Sequence, residues 1–339
     1  MTKLELTGDG LDVVTGGAGF IGSHLVDRLL ADGRRVRAVD NFVTGGPHNL
    51  KHLAGEARFE LIEADIRDRA GTKTALMGAE RIFHLAALAD IVPSIQNPEG
   101  YYDTNVTGTF NVLQAARDMD VRRLIYAASS SCYGIPDNYP TAEEAEIRPE
   151  YPYALTKFLG EQLVMHWSQI YGLPAASLRF FNVYGPRART SGTYGAVFGV
   201  FLAQLLADQA LTVVGDGEQT RDFTYVGDVA DAVATVGGYD DSGEVFNVGT
   251  GKDVSVNRLV ELLGAGEVIH IPKRPGEPDC TLADVTRINQ RFGWVSQVPI
   301  EDGVRIMLDN IDYWRDAPVW DATKIAAATE DWFRYLSND

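Results

Sequence analysis

The first 185 residues alternate short apolar runs with segments in which apolar residues recur every three or four positions. The apolar runs predict buried strands, and the periodic segments predict amphipathic helices. Strands are expected over 11–16, 35–40, 59–65, 81–87, 122–128 and 175–185, and helices over 20–33, 101–119 and 153–172. Strands that alternate with helices are typical of βαβ units. The fold class predicted is therefore α/β, a doubly wound parallel sheet of Rossmann type with right-handed crossovers.

The sequence pattern changes after Tyr184, where Gly, Pro and Arg interrupt the alternation of apolar runs and periodic segments. We expect residues 1–185 and 220–250 to form the Rossmann-type domain. Residues 186–219 and 251–339 should form a smaller, mixed α/β substrate-binding lobe. The tryptophan-bearing C-terminal tail predicts helical packing and suggests no function.

Composition narrows the class of protein. Of the 339 residues 45% are hydrophobic and 23% charged, as in an ordinary globular protein. No run reaches the roughly 18 apolar residues of a membrane span, and the N-terminus lacks a signal-peptide core. With only two cysteines, the expected compartment is a reducing cytoplasm. The net charge of −17 argues against a nucleic-acid or anionic-membrane partner, which would require a basic patch.

The stretch "VVTGGAGFIGSH" places Gly16, Gly19 and Gly22 between the first strand and its helix. Glycines there permit a tight turn and let a pyrophosphate approach the helix N-terminus. The second strand ends at Asp40, about 20 residues further on. A carboxylate at that place accepts hydrogen bonds from a ribose and repels a 2′-phosphate. The sequence therefore predicts NAD, in preference to NADP, as the cofactor.

A catalytic pair is suggested by Tyr153 and Lys157, which lie four residues apart and hence on one helix face. Ser129 lies at the end of the preceding strand, where doubly wound sheets bind their ligands. A tyrosine is a poor base at neutral pH. Lys157 and a positive nicotinamide ring would both favour the phenolate and lower the pKa of Tyr153. Tyr153 could then take a proton from a sugar hydroxyl while a hydride passes to NAD⁺ from the carbon that bears this hydroxyl.

Several motifs in combination resemble the extended short-chain dehydrogenase/reductase family, specifically its nucleotide-sugar epimerases and dehydratases. They are "TGGAGFIG", Asp40, "DI" at 65–66, "HLAA", Asn105, "SSSCYG", Tyr153 with Lys157, "RFFNVYGPR" and "GDGEQTRDF". The resemblance covers nearly the whole chain. It identifies Ser129, four residues before Tyr133, as the catalytic hydroxyl.

The same resemblance implies two sets of binding residues and no metal site. The residues expected to bind NAD are Gly16, Gly19, Phe20, Ile21, Gly22, Asp40, Asn41, Thr44, Gly45, Asp65, Ile66, Leu85, Ala86, Ala87, Asn105, Tyr153, Lys157 and Phe181. Those expected to bind a nucleotide-sugar are Ser129, Ser130, Asn182, Arg187, Arg221, Arg274 and Thr281. Arginines offer planar donors suited to phosphate. The small Thr281 resembles sites that admit N-acetylated as well as plain sugars. His84 is interpreted as a core histidine.

The family performs several reactions that begin with oxidation at C4 of the sugar. A 4-epimerase returns hydride to the other face, whereas a 4,6-dehydratase also needs an acid/base pair, commonly an acid next to the catalytic hydroxyl. Ser130 and Ser131 stand there instead and are too weakly acidic for that work. Decarboxylating members of the family also carry a Glu in this turn, and this chain has none there. The hypothesis is therefore a 4-epimerase acting on UDP-glucose/galactose or their N-acetyl forms.

Two alternatives remain open at the level of sequence. One is a dehydratase that recruits its acid elsewhere, since "SSSCYG" and the loop "TSGTYGAVFGVF" differ from typical epimerases; the nucleotide could also be GDP or dTDP. The other is a non-catalytic NAD-binding sensor, although such proteins usually lose the tyrosine or the lysine. The helices at 101–119 and 153–172 resemble those that pair as a four-helix bundle in relatives, which predicts a homodimer.

Overall fold

The strands and helices follow one another in the order expected of βαβ units in the computed structural model, which describes residues 2–189, 196–240 and 242–337. The strands are β1 (Leu11–Thr15), β2 (Arg35–Asp40), β3 (Phe59–Glu63), β4 (Ala79–His84), β5 (Arg123–Ser129), β6 (Ala175–Phe180), β7 (Asn182–Tyr184), β8 (Leu211–Val214), β9 (Thr220–Arg221), β10 (Phe223–Tyr225), β11 (Glu244–Val248), β12 (Val254–Ser255), β13 (Val268–Ile271) and β14 (Cys280–Thr281).

The helices are α1 (Phe20–Ala31), α2 (Arg69–Ala75), α3 (Ile91–Gln96), α4 (Pro98–Tyr102), α5 (Gly108–Asp118), α6 (Pro152–Tyr171), α7 (Val197–Leu206), α8 (Val226–Val236), α9 (Val256–Leu262), α10 (Thr286–Phe292), α11 (Ile300–Asp309), α12 (Ala322–Ala328) and α13 (Glu330–Leu336). A π-helical segment (Asp103–Thr107) joins α4 to α5, and short 3-10 segments cover Pro47–Leu53, Ser130–Tyr133 and Ile311–Trp314.

The main sheet has seven strands among the described residues, in the order β11-β6-β5-β4-β1-β2-β3, and each neighbouring pair is parallel. Helices cover both faces, so consecutive strand residues enter different cores. Val14 of β1 packs with α1 and α8, while Val13 packs with α5 and α6. Strands buried on both faces explain the continuous apolar runs of the sequence. The predicted α/β, doubly wound fold is confirmed.

The order of strands reverses between β1 and β4, which are neighbours in the sheet although β2 and β3 lie between them in the chain. Ligands bind outside the carboxyl ends of strands at such a switch point. This edge carries the glycine turn after β1 and the residues that follow β4 and β5. The topology therefore places the candidate cofactor and catalytic residues at one edge.

Two predicted elements differ from the structure. The predicted strand 175–185 is wrong as a single strand, because the chain leaves the main sheet after Phe180 and β7 pairs with β10 in a separate ribbon. The predicted helix 101–119 is interrupted by the π-helical turn, which contains Asn105. Such turns occur frequently at functional sites. Hydrophobic periodicity does not reveal either break.

A smaller set of elements forms a second core. It is built from α7, α9, α11 and three short sheets: β13-β8, β12-β9-β14 and β10-β7. Phe201, Leu259, Met307 and Trp314 are buried in it. Within the predicted returning segment 220–250, β11 joins the main sheet and α8 packs on α1, whereas β9 and β10 pair with strands of the small sheets.

In the described part of the chain no helix combines the length and the apolar character needed to cross a membrane.

Candidate functional site

A cavity of about 740 Å³ opens at the carboxyl edge of the main sheet and continues to the smaller core. Residues of both parts of the molecule line it. The predicted site residues in its lining are Gly16, Gly19, Phe20, Ile21, Gly22, Asp40, Asn41, Thr44, Ile66, Leu85, Ala86, Ala87, Ser129, Ser130, Tyr153, Lys157, Phe181, Asn182, Arg221, Arg274 and Thr281. The fold thus brings most of the two predicted sets to one cavity.

The glycine turn packs too closely to accept side chains. Gly16 has φ of +69°, and a Cβ on it would lie 2.7 Å from the backbone nitrogen of Ala86. A Cβ on Gly22 would lie 2.1 Å from the carbonyl oxygen of Gly16. No described side chain caps the N-terminus of α1 at Gly19, so its first amides face the cavity. These amides and the positive helix end fit a pyrophosphate.

Asp40 ties the turn to the end of β2. One carboxylate oxygen accepts from the amide of Ala18 at 3.0 Å, and the other accepts from the amide of Phe42 at 2.8 Å. Burial raises the pKa of Asp40, while these amide bonds oppose the rise. The carboxyl group still lines the cavity. It is placed to meet a ribose that follows a pyrophosphate bound at α1, as NAD requires.

Three predicted cofactor residues lie beside the cavity or behind its described lining. Gly45 packs against Ala18 of the glycine turn. Asp65 accepts from the side-chain amide nitrogen of Asn41 at 3.0 Å, and its hydrogen bonds with Arg67 lower its pKa to about 2. Asn105, buried in the π turn, is described next. Asp65 thus holds Asn41, a residue of the cavity lining, in place.

Asn105 fastens the loop after β4 to helix α6. Its side-chain oxygen accepts from the amide of Leu88 at 2.8 Å, and its side-chain nitrogen donates to the Leu88 carbonyl at 2.9 Å. The same nitrogen donates to the hydroxyl of Thr156 at 3.0 Å. Thr156 is the residue before Lys157, so Asn105 positions a wall of the cavity relative to α6.

The predicted catalytic hydroxyls meet at the end of β5. Ser129 hydrogen bonds with the phenol of Tyr153 at the start of α6. Burial nevertheless raises the pKa of Tyr153, with the Ser129 bond opposing the rise and the charge of Asp90 adding to it. This differs from the expectation that Lys157 lowers that pKa. In the structure burial is the largest influence on the pKa of Tyr153 and raises it, so Tyr153 is a neutral phenol at neutral pH.

Lys157 lies one turn along α6 and is 4% exposed. Its ammonium is 4.3 Å from the centroid of the Tyr126 ring, a cation–π contact. Burial lowers the pKa of Lys157 to about 7, although the carboxylate of Glu161 opposes the change. Glu161 is itself paired with Arg179 at 2.6 Å. The lysine can therefore change its charge near neutral pH.

Two further hydroxyls, missed at the level of sequence, continue this network. The side-chain oxygens of Ser129 and Ser131 lie 2.8 Å apart, and Ser131 hydrogen bonds with the phenol of Tyr151. The rings of Tyr151 and Tyr153 are nearly parallel, with an interplanar angle of 9° and centroids 6.4 Å apart. The run "YPY" was the available signal, since it places two tyrosines at the start of one helix.

The arginines predicted for phosphate share one carboxylate. Arg221 donates to Glu277 at 2.9 Å, and a nitrogen of Arg274 lies 3.7 Å from the other oxygen of Glu277. Nearby, the hydroxyl of Thr281 donates to the side-chain oxygen of Asn182 at 2.6 Å. The cavity wall thus presents two guanidinium groups side by side, a geometry suited to a diphosphate.

Arg187, also predicted to bind substrate, is directed elsewhere. It donates to Asp27 of α1 at 2.7 Å and lies outside the described lining. Arg189, two residues on, lines the cavity and donates to Asp90 at 2.5 Å. This contact joins the loop after β4 to the segment before the smaller core. Residues 190–195 of the "TSGTYGAVFGVF" loop lie outside the described residues.

His84 is buried between two hydroxyls, 2.7 Å from that of Thr15 and 2.9 Å from that of Thr109. Burial and the charge of Lys157 lower its pKa to about 3. The interpretation as a satisfied core histidine is confirmed. Both cysteines are free thiols, with Cys132 buried and Cys280 half-buried.

Comparison with known proteins agrees with this geometry. The model of the NAD dependent epimerase/dehydratase family matches residues 13–249. The chain is 39% identical over 299 residues to a UDP-glucose 4-epimerase of Mycolicibacterium smegmatis, which covers 86% of this chain and 95% of the relative.

Two solved structures superpose on most of the chain. The UDP-N-acetylglucosamine 4-epimerase of Methanobrevibacter ruminantium, in complex with UDP-N-acetylmuramic acid, has a TM-score of 0.83 at 31% identity and covers 89% of this chain and 99% of its own. The UDP-glucuronic acid 4-epimerase of Bacillus cereus, in complex with UDP-glucuronic acid and NAD, has a TM-score of 0.82 at 30% identity with the same coverage.

Proposed function

The chain belongs to the NAD-dependent epimerase/dehydratase family, and we propose that within it the protein is a nucleotide-sugar 4-epimerase. The substrates proposed are UDP-glucose and UDP-galactose or their N-acetyl forms. NAD is the cofactor of the family and supplies, when bound, a hydride acceptor. Ser129, Tyr153 and Lys157 are the proposed catalytic residues.

The side chains have distinct roles in this proposal. Ser129 holds the 4-hydroxyl of the sugar in line with Tyr153, which removes the hydroxyl proton and later returns one to the same oxygen. Lys157, charged at or below a pH of about 7, stabilises the phenolate that forms. Arg221 and Arg274 hold the diphosphate, while the sugar turns to present its other face. Rotation without further bond breaking is what separates epimerisation from the related reactions.

The observation that carries this proposal is the chemistry of the turn after β5. Ser130 lines the cavity next to Ser129, and Ser131 hydrogen bonds with Ser129. A serine hydroxyl is too weakly acidic to be a useful acid or base at neutral pH. It can neither remove the C5 proton as a carboxylate would nor protonate the departing C6 hydroxyl as a carboxylic acid would. The names of the relatives favour epimerisation too, and together they span three sugars, so the choice of sugar rests on experiment.

A 4,6-dehydratase is the second candidate, and the position of Asp90 favours it. Asp90 lines the cavity close enough for its charge to raise the pKa of Tyr153. In a dehydratase, Asp90 could serve as the acid that the serine turn lacks. Its carboxylate is engaged in an ion pair with Arg189, which opposes that role.

Incubation of the NAD-loaded protein with UDP- and GDP-sugars in heavy water, followed by NMR of the products, tests both candidates. Inversion at C4 without solvent deuterium is expected. Deuterium at C5 together with loss of the 6-hydroxyl would establish a dehydratase, and Asp90→Asn should then abolish that product. No turnover of any nucleotide-sugar, with NAD bound, would favour the non-catalytic sensor.

We also propose that the protein acts as a homodimer. Tyr102, at the end of α4, and Leu155 of α6 are 51% and 45% exposed, so the helices expected to pair carry exposed apolar side chains. Light scattering of wild type and of a Tyr102→Glu/Leu155→Glu variant is the test. A monomeric wild type would contradict the proposal.

A further inference from the structure

The C-terminal segment, residues 317–336, closes one side of the cavity. Ala317, Pro318, Trp320 and Trp332 all contribute to the cavity lining. The segment follows the buried Trp314 and contains helices α12 and α13. It lies beyond the 13–249 match to the family model. The sequence pattern indicated only helical packing here, so the position of these side chains is new information.

Polar contacts attach the segment to both parts of the molecule. The buried Gln204 of α7 donates to the carbonyl of Trp320 at 2.5 Å. At the other end, Gln96 of α3 donates to Asp331 at 2.9 Å, which joins α13 to the loop region after β4. The indole nitrogen of Trp332 donates to the carbonyl of Pro275 at 2.8 Å. The segment therefore spans the cavity from the smaller core to the main sheet.

Trp332 lies between the two chemical ends of the proposed site. The guanidinium carbon of Arg274 is 5.4 Å from the centroid of its ring, and the ring of Tyr151 is 6.3 Å away at 52°. Tyr151 in turn stacks on Tyr153. One indole thus touches the neighbour of the catalytic tyrosine and an arginine proposed to hold the diphosphate. In a nucleotide-sugar the hexose is the group that separates the reacting C4 from the diphosphate.

We propose that Trp332, presented by the C-terminal segment, is a specificity-determining wall for the hexose of the substrate. This inference rests on the proposed function, because that function places a hexose between Tyr153 and Arg274. The part of the indole that lines the cavity packs on the C–H groups of the sugar ring, and its bulk limits the substituents that fit there. Because its ring is fixed by Pro275, Arg274 and Tyr151, the wall is rigid.

The test compares wild type with Trp332→Ala, Trp332→Phe and the control Tyr335→Ala, which changes an aromatic residue on the same helix that is 59% exposed. Calorimetry of the NAD-loaded protein measures Kd for UDP and for UDP-glucose. Kinetics measure kcat and KM for UDP-glucose and UDP-N-acetylglucosamine. Trp332→Ala should weaken UDP-glucose about 10-fold more than it weakens UDP, the scale of discrimination by apolar pocket contacts.

The ratio of kcat/KM for the N-acetylated substrate to that for the plain one should rise about 10-fold in Trp332→Ala. Trp332→Phe should retain most of the wild-type ratio, and Tyr335→Ala all of it. If Trp332→Ala unfolds, Trp332→Phe and a Trp332→Leu variant, which keeps apolar volume without a flat face, provide the comparison.

If Trp332→Ala weakened the binding of UDP and of UDP-glucose by the same factor, the inference would be overturned, because Trp332 would then act only through Arg274. Unchanged ratios would overturn it as well. If the wild type epimerises while the ratio of kcat/KM values is the same in all variants, the role proposed for Trp332 is wrong and the proposed function stands. If wild type fails to epimerise but Trp332→Ala still weakens UDP-glucose selectively, the function is wrong and the wall stands.

Discussion

The side-chain oxygens of Ser129 and Ser131 lie 2.8 Å apart, and each serine also hydrogen bonds with a tyrosine at the start of α6. Ser129 meets the proposed base, Tyr153, whereas Ser131 meets Tyr151. Because the proposed mechanism assigns the reacting sugar oxygen to Ser129, we expect Ser129→Ala to lower kcat by about 100-fold or more. Ser131→Ala should lower it by less than 10-fold, since the hydrogen bonds that it removes, with Ser129 and Tyr151, join neutral groups and do not hold the reacting sugar oxygen. Equal losses in steady-state epimerisation assays would contradict this assignment.

Tyr153→Phe removes the hydroxyl that moves the proton and leaves the ring in place. We expect kcat to fall by about 10²–10⁴-fold. Binding of UDP-glucose measured by calorimetry should change little, because the arginines and the nucleotide site are untouched. Tyr151→Phe is the matched control on the stacked neighbour. A Tyr153→Phe variant with near-normal turnover would exclude the proposed mechanism.

Lys157 makes stability depend on pH. Burial lowers its pKa to about 7 in the folded chain from an ordinary 10.5, so between these values the unfolded chain binds more protons. Stability therefore rises with pH across this range. Lys157→Met removes the cost of burying the charge. Its gain in Tm over wild type should be largest at pH 7 and below, and should shrink toward pH 10.

Thermal unfolding from pH 6 to pH 10 measures this effect. Lys324→Met, on the exposed lysine of α12 whose side chain is 60% accessible, controls for loss of a lysine as such. A gain for Lys157→Met that grows with pH would contradict the expected sign.

Asp40 serves the glycine turn and the cofactor together. Asp40→Asn removes the negative charge and leaves one oxygen to accept from a backbone amide. The charge repels a 2′-phosphate. The ratio of Kd for NADP to Kd for NAD should therefore fall by about 10-fold or more in this variant. Fluorescence titration with both dinucleotides checks this. Asp32→Asn, on the exposed C-cap residue of α1, is the control, and an unchanged ratio for Asp40→Asn would refute the assignment.

The sequence predicted the parts of the site that depend on local geometry. The strand, glycine turn and helix of 11–31 are encoded by neighbouring residues, and so is the pairing of Tyr153 with Lys157 on one helix face. A buried carboxylate such as Asp40 at a strand end is predictable for the same reason.

Contacts between distant segments could not be predicted in this way. Trp332 reaches Tyr151 from the far end of the chain, and Asp90 meets Arg189 across two parts of the molecule. Arg187 was expected to bind substrate, but its left-handed backbone, with φ of +64°, accompanies a side chain paired with Asp27. The pKa of Tyr153 also depends on burial in the assembled fold, which no local spacing reports.

The carboxylate of Glu277, shared by Arg221 and Arg274, also bears on how fast an anionic ligand arrives. The chain carries a net charge of −17, so a doubly charged ligand meets repulsion at a distance. Arg221 and Arg274 attract the ligand locally and so counter this repulsion, but the carboxylate of Glu277 cancels part of their attraction. Added salt screens the distant repulsion beyond roughly 10 Å more than it weakens the partly buried arginines. Nucleotide association should therefore accelerate as ionic strength rises, the reverse of electrostatic steering.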